Sequence, residues 1–270
     1  MPLATFGVIG GGMMGEALIT RLLDQKIFTP GSVMVSDPQA ARRELLHQSY
    51  GVQTTADNQL VIDSAEIVLL AIKPQMLASV ADPLKPPTRD SPPLLLSILA
   101  GTTLARLQAA FPGWAVVRAM PNTPATVGAG VTALATGEGV SIEQLSQART
   151  IFASVGTVVE VPEYQMDAVT ALSGSGPGYL ALVVEALADG GVAVGLPRAV
   201  ALELAIATVR GTGELLHQSN LHPAVLKDRV TSPGGTTIAG IGALEAGGLR
   251  SALIAAVKAA YLRSKELGQS

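Results

Sequence analysis

The sequence predicts an α/β protein in two parts, a doubly wound parallel-sheet domain over residues 1–162 and an all-helical domain over residues 163–270. Three observations carry this. Short apolar runs alternate with helical segments through the first 160 residues. A glycine-rich turn follows the first of those runs. After Pro162 no convincing strand returns, and long segments rich in Ala, Leu and Val take over.

The first strand spans residues 5–9 and stops at Gly10. Gly10, Gly12 and Gly15 then stand in the spacing G-x-G-x-x-G, and residues 16–23 form a helix. In such a loop the first glycine permits the tight turn and the second lets a pyrophosphate approach the backbone. The third lets helix and strand pack closely, and the helix N-terminus offers N–H groups to phosphate. Further strands are expected at residues 33–36, 67–72, 94–98 and 116–118, with helices at 39–50, 75–84 and 104–110. Residues 82–93, rich in Pro and charge, form a surface loop. Ser141 and Gln144 make a capping box for a helix running to about residue 155, and residues 158–161 are the last strand. Continuous apolar strands alternating with helices imply a parallel sheet covered on both faces. In the second part, helices are expected at residues 178–194, 198–218, 223–231, 237–246 and 249–267. Several are apolar on more than one face, and such a helix must be covered on all sides. About 100 residues are a small unit to achieve that alone, so another subunit is expected to cover them.

Composition narrows the function classes. Hydrophobic residues make up 48% of the 270 and aromatics only 3%, so the core is built from Ala, Val, Leu and Ile. There are 10 basic and 12 acidic residues before Pro162 and 8 and 9 after it, net −2 and −1. Neither half carries the basic field that nucleic acid requires. No cysteine is present, which excludes thiolate catalysis and Cys-bound zinc, and the three histidines lie far apart, so no metal site is expected. The N-terminus shows no signal-peptide pattern, and the apolar stretch 179–195 is interrupted by Glu185, Asp189 and a Gly190–Gly191 pair. The expected setting is cytoplasmic, with no membrane span.

Candidate contacts lie where loops leave the carboxyl edge of the sheet. The second strand ends in Val35-Ser36-Asp37-Pro38, with Arg42 and Arg43 a turn later. If the arginines face the ribose, a 2′-phosphate and hence NADP is favoured; if Asp37 points at it, NAD is favoured; Pro38 would equally make Asp37 a helix cap. Lys73, in Leu70-Ala71-Ile72-Lys73-Pro74, is a ligand candidate, and Leu99-Ala100-Gly101 suits close backbone approach. Asn122 and Thr123, held between Pro121 and Pro124, offer an amide and a hydroxyl. The segments 171–179 and 231–238 each open a helix with Ser, Gly and Thr, an arrangement that binds a carboxylate.

These strings resemble those of the pyrroline-5-carboxylate reductases, enzymes that form proline by reducing a cyclic imine with NAD(P)H. The resemblance runs nearly end to end. It rests on residues 6–15, 71–74, 118–124, 167–179, 185–192, 226–238 and 244–251, of which 167–179 and 231–238 are the most specific. It implies an N-terminal Rossmann-type domain and a C-terminal helical dimerisation domain, in a homodimer of a kind that commonly assembles further into decamers. It implies cofactor contacts at Gly10, Gly11, Gly12, Met13, Met14, Ser36, Asn58, Ala71, Ile72, Lys73, Pro74, Ile98, Leu99 and Ala100. The preferred cofactor is NADP(H), with NAD(H) as the alternative. Substrate contacts are implied at Asn122, Thr123 and Glu163, and at Ser232, Gly235, Thr236 and Thr237 from the other subunit, with Thr237 as the catalytic group. Met13 stands where relatives often have Asn or Gln, and Gly178 where Ala is usual. Asp37 stands where a small polar residue is frequent, which loosens the NADP preference.

The chemistry agrees. Reducing a protonated imine needs a positioned hydride donor but no metal or nucleophile, and positioning contributes up to about 7–11 kcal/mol in favourable cases. Backbone N–H groups near Gly235 and Thr236 would hold the carboxylate, and the Thr237 hydroxyl would bond the ring nitrogen. A 3-hydroxyacid dehydrogenase would need a lysine on the first interdomain helix, and residues 178–194 contain none. A non-catalytic dinucleotide sensor would have no use for the 232–237 cradle.

Overall fold

A computed structural model describes residues 5–87 and 91–269; part of the expected loop, residues 88–90, lies outside them. The chain forms two units. One comprises residues up to 175 together with those from 260 onward, and the other residues 176–259.

The first unit alternates as its sequence predicts. In chain order it runs β1 (Phe6–Ile9), α1 (Met13–Asp24), β2 (Val33–Ser36), α2 (Ala40–Tyr50), β3 (Gln53–Thr55), α3 (Asn58–Ser64), β4 (Ile67–Leu70), α4 (Leu77–Ala81) and β5 (Leu94–Ser97). It continues with α5 (Leu104–Ala110), β6 (Val116–Met120), β7 (Gly130–Thr136), α6 (Ile142–Ala153) and β8 (Gly156–Glu160). The strands form one sheet in the order β3-β2-β1-β4-β5-β6-β7-β8, whose first six follow the order of doubly wound dinucleotide folds. Alternate side chains feed two separate cores, because successive residues of a strand point to opposite faces. Ile67 and Leu69 of β4 join Leu18, Leu22 and Phe152 on one face, while Val68 and Leu70 join Val61, Leu107 and Trp114 on the other. Phe6 stacks on Phe28 with ring centroids 5.0 Å apart. Both faces are therefore covered, as expected of apolar strands.

Three elements lie outside the sequence expectation, and one corrects it. The sheet is not wholly parallel: β7 runs antiparallel to β6, pairing Ala119 with Leu134. The connection from Met120 to Gly130 holds only a 3₁₀ turn (Thr123–Val127), too short for the crossover of a dozen or more residues that a parallel neighbour requires. The edge strand β3 is a polar three-residue run. Helix α3 starts at an Asp57 cap whose carboxylate accepts from Gln59 N–H at 2.8 Å. The expected helix 75–84 is a 3₁₀ turn (Pro74–Met76) and the short α4.

After β8 the chain makes a 3₁₀ turn (Glu163–Gln165), α7 (Met166–Val169) and a π turn (Thr170–Gly174), then α8 (Gly176–Ala193), α9 (Arg198–Ser219), α10 (Pro223–Arg229), α11 (Thr236–Ala246) and α12 (Leu249–Gln269). The last turns of α12 count with the first unit, where the buried Ser264 hydroxyl donates to Asp167 at 2.7 Å. In the second unit α8 and α9 meet through Ala188, Ala201 and Ala205. That small core leaves Leu180, Leu182, Leu202, Leu204 and Ile206 exposed, more apolar surface than a lone unit ordinarily shows. The run Glu163–Ala193 is also long and apolar enough to cross a membrane and is mostly unburied, as is a helix awaiting a protein partner.

Candidate functional site

The glycine loop after β1 shows three different surroundings. Gly10 has φ +102°, a left-handed conformation suited to glycine, and a Cβ there would lie 2.7 Å from the carbonyl oxygen of Ala71. A Cβ on Gly15 would lie 2.6 Å from the carbonyl oxygen of Gly10. Gly12 is the reverse: a Cβ there would meet nothing within 4 Å. Two glycines thus close the loop onto the sheet, and the third keeps its outer face bare. Helix α1 begins at Met13 with no side-chain cap on Gly12, so its first N–H groups are left for an anion. Met13 is exposed, whereas Met14 packs against the core. Bare backbone at an uncapped helix N-terminus fits a dinucleotide's pyrophosphate.

Beside the loop, the peptide of Gly11 is held from both sides. Its N–H donates to Asp37 Oδ2 at 3.0 Å, and Arg42 Nε donates to its carbonyl. Asp37 Oδ1 accepts from Gln39 N–H at 2.9 Å, as a turn preceding α2. Arg42 Nη2 pairs with Glu16 Oε2, and the Tyr50 hydroxyl donates to Glu16 Oε1 at 2.8 Å. Burial pushes Glu16 up, but the hydrogen bonds from Arg42 and Tyr50 and the charge of Arg42 outweigh it and hold the carboxyl below its usual range. Its contribution to stability is therefore present above the unfolded-state value and lost as pH falls through the lower folded one. Tyr50 shifts upward: a Thr20 hydrogen bond pulls it down, but burial and the adjoining Glu16 carboxylate prevail. Ser36, buried at the end of β2, donates to Asn58 Oδ1 at 2.7 Å, which joins two of the residues named from sequence.

Along the carboxyl edge, Ala71 N–H bonds Ile9 O at 2.9 Å and Ile98 N–H bonds Leu70 O at 3.2 Å. The loops beyond β4 and β5 thereby come side by side. Lys73 is exposed. Pro74, Gln75, Ala100, Gly101 and Leu267 border a cavity of about 370 Å³, so Pro74 and Ala100 share one concavity. At the end of β6 the Asn122 amide is engaged: Nδ2 donates to Ser173 O at 3.1 Å and Oδ1 accepts from Val131 N–H at 2.9 Å. Thr123 is exposed next to it. Glu163 Oε1 accepts from Leu104 N–H at 2.9 Å, at the start of α5, and from Arg118 Nη1 at 2.8 Å.

Arg118, only 3% exposed, is a residue that sequence reasoning passed over as a site member. The signal was a cation inside the apolar strand Val116-Val117-Arg118-Ala119-Met120, since a buried guanidinium must find a carboxylate. We expect Glu163→Ala to cost about 2 kcal/mol, less than for a fully buried pair because Glu163 is 32% exposed. A denaturant titration checks this; an unchanged midpoint with a raised KM would return Glu163 to a purely substrate-binding role.

In the second unit, the loop before α11 turns at Gly234 (φ +68°), and Gly235 N–H donates to Ser232 O at 3.0 Å. Gly235 therefore shapes the turn, and its own N–H is taken. Helix α11 begins at Thr236 without a side-chain cap, so the N–H groups of its first turn are the donors that face outward.

Known proteins resemble this chain over nearly its whole length. Residues 163–267 match a family model described as pyrroline-5-carboxylate reductase dimerisation, and residues 5–101 one described as NADP oxidoreductase coenzyme F420-dependent. The chain is 55% identical over 263 residues to the pyrroline-5-carboxylate reductase of Synechocystis, covering 97% of this chain and 98% of that protein. A Coxiella burnetii pyrroline-5-carboxylate reductase structure superposes with a TM-score of 0.93 at 34% identity, over 99% of both chains. A Plasmodium falciparum pyrroline carboxylate reductase structure, which has NADP bound, gives 0.88 at 30% identity, again over 99% of both.

Proposed function

The chain belongs to the pyrroline-5-carboxylate reductase family, and on that premise we propose how its residues divide the work of reducing 1-pyrroline-5-carboxylate to L-proline. It is an oxidoreductase of proline biosynthesis that uses a nicotinamide dinucleotide. The observation that carries the assignment to residues is the bare face of Gly12 at an uncapped helix start.

When bound, the reduced dinucleotide supplies the hydride. Gly10 to Met14 would hold its phosphates, Ser36 and Asn58 would contact its adenosine part, and Ala71 to Pro74 with Ile98 to Ala100 would supply the remaining contacts. The Arg42 and Arg43 pair supports NADP(H) as the preferred form, with NAD(H) as the alternative. The N–H groups in the first turn of α11, at Thr236 and Thr237, hold the substrate carboxylate, for which an uncapped helix N-terminus is a matched partner. Ser232 and Gly235 fix the turn that presents them. The Thr237 hydroxyl bonds the ring nitrogen, orients the imine and relays a proton from solvent. Asn122 and Thr123 complete the substrate surroundings, Asn122 by holding its loop rigid. We read the exposed apolar faces of α8 and α9 as the interface of a homodimer whose partner brings its own residues 232–237, with further assembly to be read from light scattering. The reaction belongs in the cytoplasm.

The test is a side-by-side rate measurement of purified protein with the cyclic imine and NADPH or NADH. Oxidation of both dinucleotides, faster for NADPH, is expected. A clear NADH preference overturns the NADP(H) reading, and oxidation only with a β-keto acid overturns the reductase assignment.

A further inference from the structure

The charged groups that follow β2 are tied to one another more tightly than a phosphate-binding site needs. Arg43 Nη1 donates to the carbonyl oxygens of Asp37 and Pro38, at 2.8 and 3.0 Å. Arg42 uses Nε on Gly11 O and Nη2 on Glu16 Oε2, while Tyr50 steadies Glu16 through its other oxygen. A guanidinium grips a phosphate best through two parallel N–H groups. Its two forked edges are Nε with Nη2 and Nη1 with Nη2. Nη2 contributes one N–H to each edge, and Glu16 holds one of those two while Gly11 O takes Nε. Arg42 stands at the mouth of the glycine loop, its Cγ 3.6 Å from where a Gly11 Cβ would be.

We propose that Glu16, braced by Tyr50, competes with a nucleotide 2′-phosphate for Arg42 and so sets how strongly this chain prefers the phosphorylated dinucleotide. The proposal rests on the dinucleotide reading given above. A 2′-phosphate on Arg42 either takes the Nη2 N–H that Glu16 holds or lies on the same nitrogen beside the Glu16 carboxylate, and it also meets the Asp37 carboxylate on Gly11 N–H. A 2′-hydroxyl meets neither cost. Glu16 is charged at neutral pH, since its carboxyl is held below the usual range. Glu16 and Tyr50 act through Arg42 and are positioning residues; their signature is a change in the ratio between two ligands that differ only at the 2′ position.

The experiment is calorimetric binding of adenosine 2′,5′-bisphosphate and of 5′-AMP to the full chain. Glu16→Gln should tighten the bisphosphate about tenfold, the size of one charge-assisted hydrogen bond regained, and leave 5′-AMP within twofold. Tyr50→Phe should shift the ratio the same way by less, and it keeps the test available if Glu16→Gln fails to fold. Adding Arg42→Ala to Glu16→Gln should erase the gain, and the NADPH to NADH ratio of kcat/KM should follow the binding ratio. An unchanged binding ratio in both single variants, or a gain that survives the loss of Arg42, overturns the proposal. Failure of the unmodified protein to oxidise either dinucleotide with the imine overturns the functional reading instead, whatever the bisphosphate does.

Discussion

Thr237→Ala is expected to lower kcat/KM for the cyclic imine about 100-fold while leaving dinucleotide affinity within twofold. The size is that of a group that positions and protonates a reacting nitrogen, at the low end of general acid–base effects. Thr237 is the second residue of α11, in the turn whose N–H groups have no side-chain cap. A carboxylate held on those N–H groups would bring the ring nitrogen of a five-membered imine within reach of that same turn. The loss cannot come from unfolding, because Ala is the better helix former and Thr237 is only half-buried. Thr237→Ser, which keeps the hydroxyl, should recover most of the rate. Steady-state kinetics with both variants, beside a nucleotide titration, make the check; wild-type turnover in Thr237→Ala removes the hydroxyl from the mechanism.

The helices of the second unit were legible because punctuation brackets them. The Gly195-Leu196-Pro197 break, the His222–Pro223 start and the Gly234-Gly235 turn set ends that the structure places within about two residues of expectation. Strand β7 was not legible. Gly130-Val131-Thr132-Ala133-Leu134-Ala135-Thr136 is built largely of small residues, and its strand character comes from pairing with β6 and β8. The glycine loop could be read from spacing because its three glycines fall within six positions at the junction of a strand and a helix. The Gly11 clamp could not, since Arg42 reaches Glu16 across 26 positions and Tyr50 reaches it across 34. Glu163 shows the same limit: resemblance placed it near substrate, while its partners Leu104 and Arg118 lie 59 and 45 positions away. Short-range pattern identified what the chain binds. Long-range charge pairing became visible only once the sheet brought the residues together.

Gly12→Ala and Gly15→Ala should separate binding from folding in a single loop. At Gly12 the added methyl meets no protein atom within 4 Å, and φ is −69°, an ordinary value for any residue. The folded state loses only the slight advantage of glycine over alanine at a helix cap, about 0.5 kcal/mol. The methyl occupies the bare face over which a pyrophosphate would lie, so the dissociation constant for NADPH should rise at least about tenfold, equivalent to about 1.4 kcal/mol. At Gly15 the methyl would sit 2.6 Å from Gly10 O and 3.5 Å from Ala71 Cβ. The first of these is backbone, pinned by the Gly10 N–H bond to Ser36 O at 2.8 Å, so helix α1 must move off the sheet. That overpacking should cost about 1–3 kcal/mol, a fall in Tm of several degrees at about 2–4 °C per kcal/mol for a unit of this size. Binding should weaken as well, because the displaced helix carries the N–H groups. Thermal melts and nucleotide titrations on the two variants decide the matter. A Gly12→Ala protein that melts as low as Gly15→Ala, or that binds NADPH with undiminished affinity, would mean that the open face of Gly12 is not where the pyrophosphate lies.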